Sequence, residues 1–182
     1  MRQVSFKGLT FEPYIENQRI QSRIRQIGEE ITAEYKGRNP LFICVLTGAF
    51  PFAADLFRSI GTDAEITFVR LKSYEGTETT GKVREVMGLG EDIKGRPVII
   101  VEDIIDTGHT IHGLLAQLRE REPESIKIAT LLFKPDSLQK PVRPDYIGFS
   151  IPPKFIIGFG LDIDGQARNL PDIWVLSDRH DN

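Results

Sequence analysis

The stretch Val98-Ile-Ile-Val-Glu-Asp-Ile-Ile-Asp-Thr-Gly-His-Thr110 runs from an apolar segment through three acidic residues into a small polar turn. The apolar residues 98–101 predict a buried strand, since a strand that is covered on both faces has no polar face. After residue 110, apolar residues recur three and four positions apart, as in an amphipathic helix, at Ile111, Leu114, Leu115 and Leu118. The stretch therefore predicts a strand, an acidic turn and the N-terminus of a helix.

The predicted helix N-terminus is a candidate anion site. Its first N–H groups lack partners within the helix, and the helix dipole places partial positive charge there. The hydroxyls of Thr107 and Thr110 and the small Gly108 suit a phosphate held by main-chain N–H groups. Acidic residues beside a phosphate point to a Mg²⁺ ion or to sugar hydroxyls, because their charge otherwise repels the ligand. The alternative is an ordinary strand-to-helix turn capped by Asp106 or Thr107, which leaves the three acids unexplained.

Strand and helix patterns alternate along the chain as far as residue 133. Helix patterns cover residues 18–35 and 51–60, and strand patterns cover residues 41–46, 64–71 and 126–133. This order predicts an α/β fold with a mostly parallel central sheet flanked by crossover helices. Prolines interrupt the later part, so about residues 135–182, together with about 1–15, are expected to form a small irregular hood. Residues 1–182 are expected to form a single domain.

Ligands of such sheets bind beyond the carboxyl ends of the parallel strands. The loops expected at this edge are residues 47–50, 72–82, 102–110 and 134–140. The loop 72–82 is polar and has little to bury, so we expect an exposed, mobile segment. These loops are therefore the places in which to look for functional residues.

Composition narrows the class of protein. The net charge of −3 argues against a dedicated nucleic-acid-binding protein. The single cysteine, Cys44, lies inside an apolar run and is interpreted as a small buried hydrophobic residue. Neither an apolar stretch of membrane-spanning length nor a secretory leader is recognised, so we expect a cytoplasmic protein that does not associate with membranes.

Residues 98–110 resemble the phosphoribosyl-pyrophosphate (PRPP) motif of type I phosphoribosyltransferases, and the acid at position 106 resembles the branch that acts on 6-oxopurines. The resemblance extends over about residues 41–176 and implies the type I phosphoribosyltransferase fold. It implies a Mg²⁺ cofactor held by Glu102 and Asp103, and a second Mg²⁺ held through water by Asp162. It implies that Asp106 is the catalytic general base, and that PRPP and its 5′-phosphate are bound by Glu102, Asp103, Asp106, Thr107, Gly108, His109 and Thr110.

Two further segments match the parts of this family that surround pyrophosphate. The resemblance implies a lid that carries Ser73 and Tyr74 and excludes water from the site. It implies pyrophosphate binding by Thr47, Gly48, Arg70, Lys72 and Arg168. Many relatives carry a Lys where this chain has Thr47, which leaves the main-chain contact intact and removes one cation. Taken alone, Thr47 and Gly48 also fit a plain strand exit, and residues 70–74 fit a solvated hairpin loop better than a lid.

The resemblance also implies a purine site formed by Lys134, Phe155, Ile156 and Asp162. The ammonium group of Lys134 would donate to the 6-oxygen of the base and so select hypoxanthine and guanine against adenine. Phe155 would stack on the ring, and main-chain groups near Ile156 would contact its edge. Without the resemblance, Lys134 is a solvated strand end, and Phe155 and Ile156 are core residues.

The implied reaction transfers the 5-phosphoribosyl group from PRPP to hypoxanthine or guanine, giving IMP or GMP and pyrophosphate. Two alternatives stay open: a phosphoribosyltransferase for another base, of which xanthine is the hardest to exclude, and a PRPP-sensing regulator of pyrimidine operons that binds RNA. The regulator would call for a basic surface and a different residue at position 106. Family members are dimers or tetramers, so the resemblance implies a homodimer or homotetramer with small-molecule substrates and no nucleic-acid or membrane partner.

Overall fold

The computed structural model describes residues 2–72 and 84–177, which form two sheets and three helices. In chain order the elements are β1 (Val4–Phe6), β2 (Leu9–Ile15), α1 (Asn17–Glu34), β3 (Leu41–Leu46), α2 (Phe50–Arg58), β4 (Glu65–Lys72), β5 (Arg84–Met87), β6 (Pro97–Ile105), α3 (His109–Arg119), β7 (Ser125–Phe133), β8 (Tyr146–Ser150), β9 (Ile156–Ile157) and β10 (Ile173–Leu176). Every helix and strand predicted from the alternating patterns up to residue 133 is present.

The larger sheet has the strand order β5-β4-β3-β6-β7-β8. Strands β4, β3, β6, β7 and β8 are parallel to one another, and β5 runs antiparallel to β4. The helices α2 and α3 connect β3 to β4 and β6 to β7, which places the crossovers on the faces of the sheet. The prediction of a mostly parallel sheet flanked by helices is confirmed.

Both faces of the larger sheet are covered, which explains its continuously apolar strands. Phe42 and Cys44 of β3 pack with α1 and α2, whereas Ile43 on the other face packs with α3. The buried face of α1 carries Ile20, Ile24, Ile27 and Ile31. Burial raises the pKa of the Cys44 thiol to about 12, so the thiol stays protonated at neutral pH. In the described part of the chain, no helix is both long enough and apolar enough to cross a bilayer.

The expected small hood is present, formed by the start of the chain and the C-terminal segment, and the structure shows that its strands pair in a sheet. Its strands are antiparallel in the order β1-β2-β10-β9, with Phe11 and Trp174 in a separate small core. The β1–β2 hairpin turns at Lys7 and Gly8, whose φ angles of 52° and 76° suit a tight two-residue turn. The sheet pairs segments that lie far apart in the sequence, and the spacing of prolines carries no information about such pairing.

Strand β8 lies outside the hood, although the hood was expected to begin at about residue 135. Strand β8 pairs in parallel with β7, with Tyr146 opposite Ala129, and is therefore an edge strand of the larger sheet. Helix α1 covers this edge, since Arg23 donates to the carbonyl oxygen of Ile147 from Nε at 3.1 Å and from Nη2 at 2.8 Å. The short apolar piece before Ser150 thus extends the main core.

Strand β6 continues through the acidic pair that the sequence placed in a turn. Glu102 lies in register with Thr130 and Ile105 with Phe133, so the strand ends just before Asp106. Ile105 is 1% exposed, and its burial between neighbouring strands favours the extended chain over a turn. The acids consequently project from the last residues of a strand, at the carboxyl edge shared by β3, β4, β6 and β7.

Candidate active site

A cavity of about 290 Å³ opens at the carboxyl end of β6. The ends of β3 and β6, the turn after β6 and the first residues of α3 form its wall. Of the residues predicted for the site, those that line the cavity are Gly48, Glu102, Asp103, Asp106, Thr107, Gly108, His109 and Thr110. The predicted PRPP motif therefore surrounds one space, with Gly48 of the neighbouring loop beside it.

The two acids at the end of β6 are bonded to the local main chain. The N–H of Asp103 donates to Glu102 Oε1 at 3.1 Å, and the N–H of Ile104 donates to Asp103 Oδ1 at 2.8 Å. Glu102 is 6% exposed, which is unusual for a glutamate that has no paired cation among the described residues. These bonds fix the orientation of both carboxylates beside the cavity.

Burial raises the pKa of Glu102 well above its ordinary value, and the neighbouring Asp103 raises it further. Burial also raises the pKa of Asp103, although the guanidinium group of Arg168 opposes this rise. In residues 2–72 and 84–177, no three His, Cys, Asp or Glu side chains come together as a metal-binding group.

Glu102→Gln is expected to raise the free energy of unfolding at pH 7 by at least about 1 kcal/mol, or about 2–4 °C in Tm. Glutamine fills the same volume without the cost of a buried carboxyl group. Because folding raises the pKa of Glu102, this cost is present at high pH and vanishes as the pH falls to the ordinary value of 4.5. The gain in unfolding free energy should therefore shrink as the pH falls from 7 to 4.5.

Thermal unfolding of both proteins across this pH range checks the prediction. Glu29→Gln, at an exposed position of α1, is the matched control and should leave Tm unchanged. A gain for Glu102→Gln that is constant from pH 7 to pH 4.5, or a loss at pH 7, would contradict it.

The turn after β6 presents the start of α3 to the cavity. Gly108 stands at the N-cap position with a φ of 83°, and no side chain in the described part of the protein caps the helix. The first N–H groups of α3 are therefore available to an anion. His109 Nδ1 lies 3.1 Å from Thr107 Oγ1. The alternative in which Asp106 or Thr107 serves as the N-cap is excluded, because neither stands at that position.

Asp106 and Lys134 form an ion pair, with 2.8 Å between Lys134 Nζ and Asp106 Oδ2. The side chain of Lys134 is 9% exposed and that of Asp106 is 46% exposed. The main chain holds the two strand ends together, since the N–H of Lys134 donates to the carbonyl oxygen of Ile105 at 2.9 Å. Lys134 is thus no solvated strand end, and the candidate base and the candidate purine-selecting cation are in contact.

Gly48 lies where no larger residue fits. A Cβ atom at Gly48 would lie 1.8 Å from Asp103 Oδ2, and one at Gly160 would lie 2.0 Å from the carbonyl oxygen of Gly48. Arg168 donates from Nη1 to the carbonyl oxygen of Gly160 at 2.7 Å. Its Nη2 lies 2.9 Å from Asp162 Oδ1. The predicted residues Gly48, Asp162 and Arg168 are therefore joined through Gly160. The sequence analysis did not predict that Gly160 belongs to the site.

The remaining residues predicted for pyrophosphate lie at the same edge of the sheet. Thr47 follows β3 and is exposed, and Arg70 lies near the end of β4 and is exposed as well. Lys72 is the last residue of β4. Ser73 and Tyr74, predicted for the lid, lie outside the described residues.

Phe155 and Ile156 belong to the hood and are not part of the cavity wall. Phe155 is 46% exposed, and its ring centroid lies 6.0 Å from that of Phe11. Ile156 is 5% exposed and packs in the large core. Phe155 therefore presents a half-exposed aromatic face, whereas the side chain of Ile156 has the core role that was its alternative.

Comparison with known proteins agrees with this geometry. Residues 12–164 match the phosphoribosyl transferase domain family. The chain is 42% identical to the hypoxanthine-guanine phosphoribosyltransferase of Bacillus subtilis, over 89% of this chain and 91% of that protein. It is 43% identical, over 89% of its length, to the bifunctional protein TilS/HprT of Listeria innocua, of which it spans 25%.

Solved structures give the same result. A hypoxanthine-guanine phosphoribosyltransferase from Bacillus anthracis superposes with a TM-score of 0.87 and 38% identity, covering 91% of this chain and 98% of that one. The chain therefore belongs to the phosphoribosyltransferase family, and within it to the hypoxanthine-guanine phosphoribosyltransferases.

Proposed function

We propose that this chain transfers the 5-phosphoribosyl group of PRPP to hypoxanthine or guanine, giving IMP or GMP and pyrophosphate in purine salvage. The observation that carries the proposal is a single cavity with three kinds of group around it. They are the acidic strand end Glu102–Asp103, the uncapped N-terminus of α3, and Asp106 with its partner Lys134. These groups suit the sugar, the phosphate and the purine of the proposed reaction.

The 5′-phosphate binds at the turn that precedes α3. The free N–H groups at the start of the helix donate to the phosphate oxygens, and the helix dipole favours the negative charge. The hydroxyls of Thr107 and Thr110 add further donors. His109 holds the Thr107 hydroxyl by its contact of 3.1 Å and borders the same cavity.

Glu102 and Asp103 hold the ribose hydroxyls together with Mg²⁺. The donor set fits this ion, because carboxylate oxygens are its usual protein ligands and the raised pKa values of both acids favour a neighbouring cation. Mg²⁺, when bound, neutralises charge on the departing pyrophosphate. Asp162, which pairs with Arg168, would hold a second Mg²⁺ through water.

Pyrophosphate lies between the loop after β3 and Arg168. The main-chain N–H groups of Thr47 and Gly48 donate to it, and the guanidinium of Arg168 contributes positive charge. Arg70 and Lys72 of β4 lie at the same edge, and the lid proposed for Ser73 and Tyr74 lies outside the described residues. Cleavage of the ribose–pyrophosphate bond leaves a cationic sugar, which the carboxylates of β6 stabilise.

The purine binds beside Asp106 and Lys134. Asp106 removes the proton from the imidazole ring of the base as the new bond forms, and Lys134 donates to the 6-oxygen. In the complex, each residue of this ion pair exchanges its partner for a group of the purine. Phe155 offers a stacking surface through its half-exposed ring, and main-chain groups near Ile156 contact the edge of the base.

Product formation from PRPP and Mg²⁺ with hypoxanthine, guanine, xanthine, adenine and uracil, each supplied separately, tests the proposal. We expect turnover of hypoxanthine and guanine, with adenine and uracil inert. The rate with xanthine decides whether the site also accepts a 2-oxo group. Absence of turnover with every base, from folded protein, would refute the proposal and favour the RNA-binding regulator, for which RNA binding would then be measured.

We further propose that residues 1–182 act as one domain, in the cytoplasm, as a homodimer or homotetramer. The packing of the two sheets supports the first statement, because the hood strands β2 and β10 contribute Ile15 and Ile173 to the main core. Light scattering on the purified protein measures the assembly, and a monomer at micromolar concentration would contradict it.

A further inference from the structure

The segment 158–172, which we call the hood loop, connects β9 to β10 and contacts the candidate pyrophosphate site. Its last residue, Asp172, is 6% exposed and lies away from the cavity. We propose that Asp172 is a positioning residue, which fastens the hood loop so that Arg168 and Gly160 stay against Gly48. The inference rests on the proposed function, in which these groups bind pyrophosphate.

Both carboxylate oxygens of Asp172 are engaged by distant parts of the chain. Its Oδ1 accepts a hydrogen bond from the main-chain N–H of Asn17 at 2.8 Å. Its Oδ2 lies 3.0 Å from Nη2 of Arg2. Asn17 returns a bond from its side-chain amide to the carbonyl oxygen of Pro171 at 2.8 Å. The carboxylate thus joins the hood loop to the start of α1 and to the segment before β1.

Helix α1 receives its N-terminal cap from Asp172. The local N-cap residue, Glu16, makes no side-chain capping bond within the described residues, and the first turn of α1 contains no acidic residue. Asp172 supplies both an acceptor and a negative charge at the positive end of the helix dipole. Because α1 is packed on the larger sheet by its buried isoleucines, this contact fixes the hood loop to a rigid element.

Contacts within the hood loop couple the position of Asp172 to that of Arg168. The loop doubles back on itself, with the N–H of Gly160 donating to the carbonyl oxygen of Arg168 at 2.9 Å. At its base, Gly158 has a φ of 94°, and a Cβ atom there would lie 2.2 Å from the carbonyl oxygen of Asp172. The two arms therefore move as a unit, and displacement of one end displaces the other.

Loss of the carboxylate is expected to weaken the binding of pyrophosphate and of PRPP, and not that of the purine. Asp172→Ala should raise KM for pyrophosphate, in the reverse reaction, and KM for PRPP about fivefold, which corresponds to about 1 kcal/mol. A smaller fraction of molecules then holds Arg168 in the binding position, and the apparent affinity falls by that fraction. KM for hypoxanthine and for IMP should stay within about twofold.

Steady-state kinetics in both directions tests the proposal on Asp172→Ala and Asp172→Asn. The amide keeps one acceptor for Asn17 but loses the charge, so its effect on KM for pyrophosphate should be about two- to threefold. Asp164→Asn makes the same change in the same loop, at a side chain that is 75% exposed, and should leave every KM unchanged. Trp174, the single tryptophan and 1% exposed, reports by its fluorescence whether the hood remains packed.

Unchanged KM values for pyrophosphate and PRPP in folded Asp172→Ala, with only a lower Tm, would overturn the proposal, because Asp172 would then be merely structural. An equal rise of all four KM values would overturn it as well. If the alanine variant does not fold, the asparagine variant decides by the same comparison. A wild-type protein that turns over no base is a different result, which refutes the proposed function and the inference with it.

Discussion

Asp106→Asn is expected to reduce kcat for IMP formation by about 10²–10⁴-fold, while KM for PRPP and for hypoxanthine changes by less than about threefold. The reason is that an amide cannot accept the proton released by the imidazole ring of the purine. Asparagine keeps the size of the side chain and an oxygen atom near Lys134 Nζ, which lies 2.8 Å from the wild-type carboxylate. The binding groups of the turn before α3 are left in place.

Steady-state kcat and KM for both substrates measure this effect. Asp136→Asn is the control, because Asp136 is exposed in the short helical turn after β7 and only two residues beyond Lys134. A loss in Asp106→Asn that appears equally in kcat and in substrate affinity would assign Asp106 to binding and not to proton transfer.

The same substitution has a separate effect on stability. It leaves the ammonium of Lys134, 9% exposed, without its carboxylate partner, although Asp106 itself is 46% exposed. The expected loss of unfolding free energy is about 2 kcal/mol, which lies between the costs of breaking a surface ion pair and a buried one. Kinetics measured well below the melting transition of the variant therefore report chemistry, since nearly all molecules are folded there.

Local patterns were sufficient to predict the main sheet. The buried isoleucines recur three or four positions apart, which defines α1, and the apolar run 41–46 defines a strand with helices on both faces. These signals depend on neighbours within one element. The course of β6 through Glu102 and Asp103 was missed, because charge at these positions resembles a turn unless the burial of Ile105 by adjacent strands is known.

Pairing between distant segments could not be predicted from local patterns. The hood joins β2 to β10, and β8 completes the larger sheet although prolines surround it. A short apolar piece such as Tyr146–Ser150 has the same composition whether it pairs with β7 or with a hood strand. The choice is made by the space that α1 leaves at the edge of the larger sheet, which is a tertiary property.

The candidate site likewise has one part that local sequence predicts and one part that depends on tertiary packing. The residues between Glu102 and Thr110 are contiguous, so their order alone brings acids, hydroxyls and a helix N-terminus together. The contact of Asp106 with Lys134 and that of Gly48 with Gly160 depend on the packing of separate loops. Both contacts bear on function, because they decide which groups are paired before the substrates bind.

Lys134→Gln is expected to lower kcat/KM for hypoxanthine by about 10²–10³-fold and to lower the preference for hypoxanthine over adenine by at least about tenfold. An ammonium group can only donate, which suits a 6-oxo group and opposes a 6-amino group. The glutamine amide can donate or accept, so it discriminates less between the two bases. Rates of nucleotide formation with each base, at saturating PRPP, give both quantities.

The ratio of the rates with hypoxanthine and with adenine distinguishes the two roles that Lys134 can have. If Lys134 served only to hold Asp106, to which it is bonded at 2.8 Å, turnover of every base would fall by one common factor and the preference would not change. That outcome would contradict purine selection by Lys134. Lys36→Gln, at an exposed position just after α1, is the matched control and should alter neither rate nor preference. A reduced preference is therefore the result that assigns the Lys134 ammonium to the 6-oxygen of the base.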